Sequence, residues 1–337
     1  MPPAIRLKGQ FFLKTAACLG CLLLLLAACA PAPSPTFIPS VGFSPVSQTP
    51  LPTETQVPPT TGPLITTTPT VAENTPALTS SPSALPADFW RKLPVIPDQV
   101  SARVRAIYRQ GLFLGNNPRI FSRIGDCASA APAFLVGFDK NYNLGKYSNL
   151  QPAIDYYKGS FERPSLAAKA GLNSAGLLTT LWTGEQCQKN ESLLDCQYRL
   201  DRPSFAFIDI GTNEAYYVHT NPGSFERNMR IILDDTIAKG IVPILGTKAD
   251  NIEGDDSINA TIARLALEYQ IPLWNFWLAV QPLSNHGLVD PDHLSSVSYS
   301  NFTDFSIPNS MDYGMQMRNL TALQMLDFLR VQLAEKP

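Results

Sequence analysis

The chain has 337 residues, 45% of them hydrophobic, with 26 basic and 28 acidic side chains and a formal net charge of -2. That is enough apolar material for a sizeable core, which excludes a wholly disordered chain. The near-cancelling charge leaves no global positive field to recruit phosphates, so no nucleic-acid partner is expected.

Arg6, Lys8 and Lys14 precede an apolar run over residues 16–28, the pattern of an export signal. No other segment offers 18 consecutive apolar residues, so no second membrane span is expected. The run closes with Leu26-Ala27-Ala28-Cys29, which resembles the bacterial lipoprotein lipobox: a branched aliphatic, two small residues, then a cysteine. The resemblance implies cleavage after residue 28 and lipidation of Cys29, making the lipid bilayer a partner and the protein an extracytoplasmic, membrane-anchored lipoprotein. Several acyl chains at about 0.8 kcal/mol per buried methylene hold far better than one.

Residues 29–88 follow as a tether. Between Ala30 and Asp88 lie 14 prolines and 19 serines or threonines, with only Glu54, Glu73 and Asp88 charged. Such a stretch cannot bury enough apolar area to offset its ordering entropy. Extended as polyproline it would reach roughly 180 Å.

Residues 89–337 alternate helix and strand patterns. Apolar positions recur at helical spacing over Gln99–Tyr108, with basic residues opposite. Arg119–Ile124 reads as a strand running into Gly125-Asp126. Further strand patterns occupy Phe205–Ile210, Ile241–Leu245 and Pro272–Phe276, and helix patterns occupy Phe225–Lys239 and Ile258–Tyr269. A last helix is predicted over Asn319–Lys336, with Leu320, Leu323, Leu326, Leu329 and Leu333 down one side. This alternation predicts an α/β domain with a mostly parallel sheet and helices on both faces, whose site lies at the carboxyl ends of the strands.

Three short motifs stand at such places: Gly125-Asp126-Cys127, Gly211-Thr212-Asn213-Glu214, and Asp290-Pro291-Asp292-His293 ahead of the last helix. In this order they resemble the SGNH, or GDSL, hydrolase family, with its nucleophile turn, lone glycine, G-x-N-D loop and closing D-x-x-H. The resemblance implies a flavodoxin-like, doubly wound fold and an esterase or acyl hydrolase that needs no cofactor. Its substrate would be an acyl ester, with a small acyl group on a cell-surface or environmental polysaccharide as the family's suggestion.

Carried over residue by residue, Cys127 stands where the family has its serine nucleophile, His293 is the general base and Asp290 orients it. Asp292 is the alternative partner of that imidazole, and Ser129 an alternative nucleophile. Asn213 and Gly171 would form the oxyanion hole, with Gly176 as the other candidate glycine, and Asp126 and Gly211 would support the two loops. Glu214 replaces the family's aspartate. A thiol in this place is a better intrinsic nucleophile than a hydroxyl and needs only partial deprotonation by a neighbouring histidine.

The exported part keeps Cys127, Cys187 and Cys196. A disulfide between Cys187 and Cys196, across eight intervening polar-loop residues, is the expected outcome outside the cytoplasm, leaving Cys127 free; pairing of Cys127 with either of them is the alternative. The other histidines, His219 and His286, have no metal-ligand spacing, and no metal site is expected. The second reading of the whole is a non-catalytic surface-binding module that keeps the fold. Retention of His293, Asp290 and Asn213 beside Cys127 favours the enzyme, because a binder needs neither base nor orienter.

Overall fold

Four strands pair in a single sheet, each parallel to its neighbour and ordered as in the chain: β1 (Asn117–Gly125), β2 (Pro203–Asp209), β3 (Val242–Gly246) and β4 (Leu273–Trp274). The computed structural model describes residues 86–130 and 132–334, all within the unit Ala77–Pro337. The export signal, Cys29 and nearly all of the tether lie outside the described residues. Among the described residues no helix is long and apolar enough to cross a membrane.

A single parallel bridge, Gly125 to Ala168, adds an edge beyond β1. Counted as a strand, it converts the order to 2-1-3-4-5, that of a doubly wound flavodoxin-like sheet. β2 and β3 are buried along their whole length, as continuous apolar strands covered on both faces must be.

The helices are α1 (Ala102–Phe113), α2 (Gln151–Tyr157), α3 (Ser174–Leu177), α4 (Leu193–Asp201), α5 (Thr212–Ala215), α6 (Ser224–Ala238), α7 (Ser257–Glu268), α8 (Phe276–Val280) and α9 (Gly314–Leu329). Tyr108 of α1 and Tyr157 of α2 pack on Phe205 of β2, with ring centroids 5.6 and 6.1 Å away, and α2 also packs on α9. From the neighbouring position on β1, Ser122 donates to Asp201 of α4 at 2.6 Å. Tyr198 then joins α4 to α6 through Thr236 at 3.0 Å. Cys187 and Cys196 are joined as a disulfide, which ties the loop before α4 to that helix.

The predicted strands and long helices are present, with ends displaced by a few residues. The first helix starts at Ala102 because Ser101 caps it, its hydroxyl accepting from the Val104 N–H at 3.0 Å. Pro272–Phe276 shortens to two strand residues because Asn275 caps α8. The last helix begins at Gly314 rather than Asn319. Its first turns bury Gln316, Arg318 and Asn319, polar residues that an apolar stripe does not announce.

Register places the site. Gly125 pairs with Asp209, so Asp126-Cys127 and Ile210-Gly211 leave the sheet side by side, at the point where the chain turns to opposite sides.

Candidate active site

Gly125 ends β1 where no side chain fits: a Cβ there would lie 2.4 Å from the Asp209 carbonyl oxygen and 2.5 Å from Ser129 Oγ. The chain then turns through a 3-10 segment, Cys127–Ser129, capped by Asp126, whose Oδ1 accepts from the Ala128 N–H at 3.1 Å. Cys127 is a free thiol, half-buried at the head of this turn. Burial, with Asp126 and Asp292 nearby, pushes that thiol up to about 11. With the thiol raised, its deprotonation falls to a neighbouring base, the part expected of the histidine. Burial also pushes the Asp126 carboxyl up to about 6.

His293 is held from below. Its Nδ1 lies 3.0 Å from both carboxylate oxygens of Asp290, and Asp290 Oδ1 also accepts the backbone N–H of His293 at 2.8 Å and of Asp292 at 3.1 Å. A carboxylate on Nδ1 keeps the proton there and turns the Nε2 lone pair outward, the tautomer a general base needs. Asp292 Oδ1 is 2.8 Å from the same nitrogen, while its Oδ2 accepts from the exposed Tyr216 hydroxyl at 2.8 Å. Hydrogen bonding to Asp290, reinforced by both carboxylates, raises the imidazole above its ordinary value. The chain's own carbonyls hold the other two histidines: that of Glu253 lies 2.9 Å from His219 Nε2, and that of Gln281 lies 3.3 Å from His286 Nδ1.

Cys127 and His293 line one cavity of about 330 Å³, together with Asp292, Leu294, Phe302 and Met315. No hydrogen bond joins Sγ to the imidazole, an arrangement common in resting sites that tighten around substrate.

Asn213 and Gly171 stand apart from that cavity wall. Asn213 Nδ2 donates to the Leu172 carbonyl at 2.9 Å, which pins it beside the Gly171 loop and leaves one amide hydrogen free. The Gly171 N–H has no partner among the described residues. Gly176 is corrected as a candidate: its N–H is spent on Asn173 Oδ1 at 2.8 Å, capping α3. Glu214 is a buried anchor whose Oε1 accepts from the Ser174 N–H, and burial raises its carboxyl. Gly211 adopts φ +150°, which its loop needs in order to leave β2, and a Cβ there would meet Ile258 at 2.8 Å.

Arg318, the residue bracing the Cys127 turn, is missed by motif spacing. It is 2% exposed in α9, sandwiched by Phe134, Trp274 and Phe276 with ring centroids 4.5 to 5.2 Å from its guanidinium carbon. Its Nη2 pairs with Asp209 and donates to Ser129 Oγ at 3.0 Å, and its Nε donates to the Ala128 carbonyl at 3.2 Å. Burial lowers it to about 10. Ser129, itself buried, donates to Asp209 Oδ2 at 3.0 Å, so the alternative nucleophile is a structural strut. One signal was available: Asp209 interrupts an otherwise apolar strand, and a buried acid must find a partner. Lys248, also buried, is paired with Asp250 at 2.7 Å and Glu253 at 2.6 Å, and Asp250 accepts from Thr212 at 2.8 Å. Asp126, Asp209, Lys248 and Arg318, with Ile210, Phe276 and Leu294, line a second cavity of about 20 Å³, room for a single water.

No family model and no curated sequence matches the chain. Among solved structures, a catalytic mutant of Axe2, an acetylxylan esterase from Geobacillus stearothermophilus, is similar at 14% identity and a TM-score of 0.39, covering 62% of this chain and 94% of that one. The acetyl xylan esterase AlAXEase is similar at 12% identity and a TM-score of 0.37, over 60% of this chain and 96% of its own. Strand order and register, not these values, define the fold described above.

Proposed function

We propose that this chain is an exported, lipid-anchored hydrolase or acyltransferase acting on acyl esters, with Cys127 as nucleophile, His293 as general base and Asp290 as the residue that positions it. One observation carries the reading: a free thiol and an imidazole whose Nδ1 is fixed by a carboxylate line the same cavity at the carboxyl ends of parallel strands. Because the thiol rests protonated, His293 Nε2 takes its proton as Sγ attacks the ester carbonyl. The C–S bond forms, the C–O bond to the alcohol breaks, and the imidazolium returns its proton to the leaving oxygen. Water or an acceptor hydroxyl then attacks the thioester, its proton passes to His293 and on to the thiol, and the acyl group leaves. Gly171 N–H and the spare hydrogen of Asn213, held beside each other by the Asn213 bond to the Leu172 carbonyl, are the donors proposed for the oxyanion.

Carbohydrate esters fit as substrates of a site held out from a membrane by a long tether. The raised thiol favours the second reading, a binding module on the same fold, and one comparison separates the two. Hydrolysis of acetyl and longer acyl esters is expected to fall at least a thousandfold in Cys127→Ala and in His293→Ala. Unchanged turnover in Cys127→Ala would move the chemistry elsewhere, and no turnover in the native chain would leave the binder. The anchor is tested separately: metabolic labelling with an alkyne fatty acid is expected to mark the chain and to be lost in Cys29→Ser.

A further inference from the structure

We infer that the cavity beside Cys127 is an acyl pocket for chains of about six to eight carbons, so that the substrate class is a medium-chain acyl ester rather than an acetyl ester; this rests on the proposed thiol chemistry. The directions available to an acyl group bound to Sγ are few. The small cavity of about 20 Å³ is not lined by Cys127 and is too small for any acyl group. Cys127 lines the cavity of about 330 Å³, walled by Ala133, Leu294, Phe302 and Met315.

The lining of that larger cavity is mostly apolar and differs in exposure. The His293 side chain is 57% exposed, so the alcohol it protonates faces solvent, and Val289 and Tyr299 are exposed too, whereas Met315 is buried. The acyl chain therefore lies along the apolar side chains, with Met315 as the most enclosed of them. A cavity of about 150 Å³ accommodates a benzene ring, so one of about 330 Å³ would be left mostly unfilled by the three heavy atoms of an acetyl group. Empty apolar space beside a reacting centre contributes nothing, whereas each methylene buried there is worth up to about fourfold, or about 0.8 kcal/mol.

The test uses the full chain in mild detergent and esters of one alcohol with acyl chains of two to twelve carbons. Specificity is expected to rise two- to fourfold per methylene, at least tenfold from acetyl to hexanoyl, and to fall again beyond about ten carbons. Met315→Trp fills the pocket and is expected to move the optimum toward acetyl. Phe302→Ala enlarges it and is expected to move the optimum outward by two or more carbons, which keeps the test decisive if the tryptophan variant fails to fold. Acetyl as the best substrate, with Cys127→Ala inactive, would overturn the pocket and leave the thiol chemistry standing. If no ester turns over, that chemistry fails, and N-alkylmaleimides then decide the pocket. Labelling of Cys127, mapped by peptide mass and measured against glutathione, is expected to quicken at least fivefold from methyl to hexyl. A flat series would overturn the inference.

Discussion

Arg318 donates to the carbonyl of Ala128, 190 positions earlier in the chain, at 3.2 Å, so the turn that presents the thiol is held from behind by a buried guanidinium. The same guanidinium neutralises Asp209 at the end of β2. Removing one member of such a pair leaves the other buried and uncompensated, whereas removing both need not. Arg318→Met is expected to cost about 3–5 kcal/mol in denaturant unfolding, and adding Asp209→Asn to recover a large part of it. Additive losses in the double variant would show that the two do not act as a pair.

The pH dependence of turnover follows from His293. The base must be neutral, and Asp290 raises the imidazole above its ordinary value, so kcat/KM is expected to rise with pH through a midpoint above about 6.5. Asp290→Asn withdraws the charge that favours the imidazolium. The midpoint then moves to lower pH, and because Asp292 still faces the same nitrogen at 2.8 Å, the full loss of the tautomer, up to about ten-thousandfold in rate, is expected only when Asp292→Asn is added. A rate profile whose acid limb stays in place in Asp290→Asn would remove Asp290 from the role of orienter.

Asp126 predicts a stability effect of its own. Burial raises its folded value to about 6 from an ordinary 3.8, so the native state binds the proton more tightly than the unfolded chain does. Stability therefore falls as pH rises from about 4 to about 6, and the penalty is fully present above that window. Asp126→Asn keeps an acceptor for the Ala128 N–H and removes the penalty. Its stability advantage over the native chain, measured by urea unfolding, is expected at pH 7 and absent at pH 4; equal curves at both would contradict the assignment.

The Cys187–Cys196 disulfide closes a short loop, with a separation of nine. Chain-entropy arguments give such a closure about 2–3 kcal/mol, so the double alanine variant is expected to unfold at correspondingly lower denaturant. Alkylation of the native, unreduced chain is expected to spare Cys187 and Cys196 and to reach Cys127.

Local signals made much of the fold legible. Period-two and period-3.6 patterns report which residues face a core, and Phe205–Ile210 or the leucines of α9 need one whatever the neighbours are. The helices α2, α3, α4, α5 and α8 escaped such reading because one or two turns are set by a cap or a packed neighbour rather than by a stripe; the stretch read as a polar loop up to Cys196 ends inside α4, whose Leu193 and Leu194 are buried behind the Ser192 cap. Within the site, Gly125-Asp126-Cys127 and Asp290-Pro291-Asp292-His293 were visible because each is contiguous, and contiguity is what a motif preserves.

The amino-acid order alone determined the alternation of strands and helices, the residue types available for acyl chemistry and their grouping into short loops, since each depends on neighbours a few positions away. Tertiary structure alone decided that Cys127 and His293 share a cavity, that burial and two carboxylates raise the thiol, that Gly176 spends its N–H on a cap, and that Arg318 stands behind the turn. Burial, electrostatic neighbourhood and hydrogen-bond occupancy are properties of distance in space, and they exist only once segments remote along the chain have been packed together.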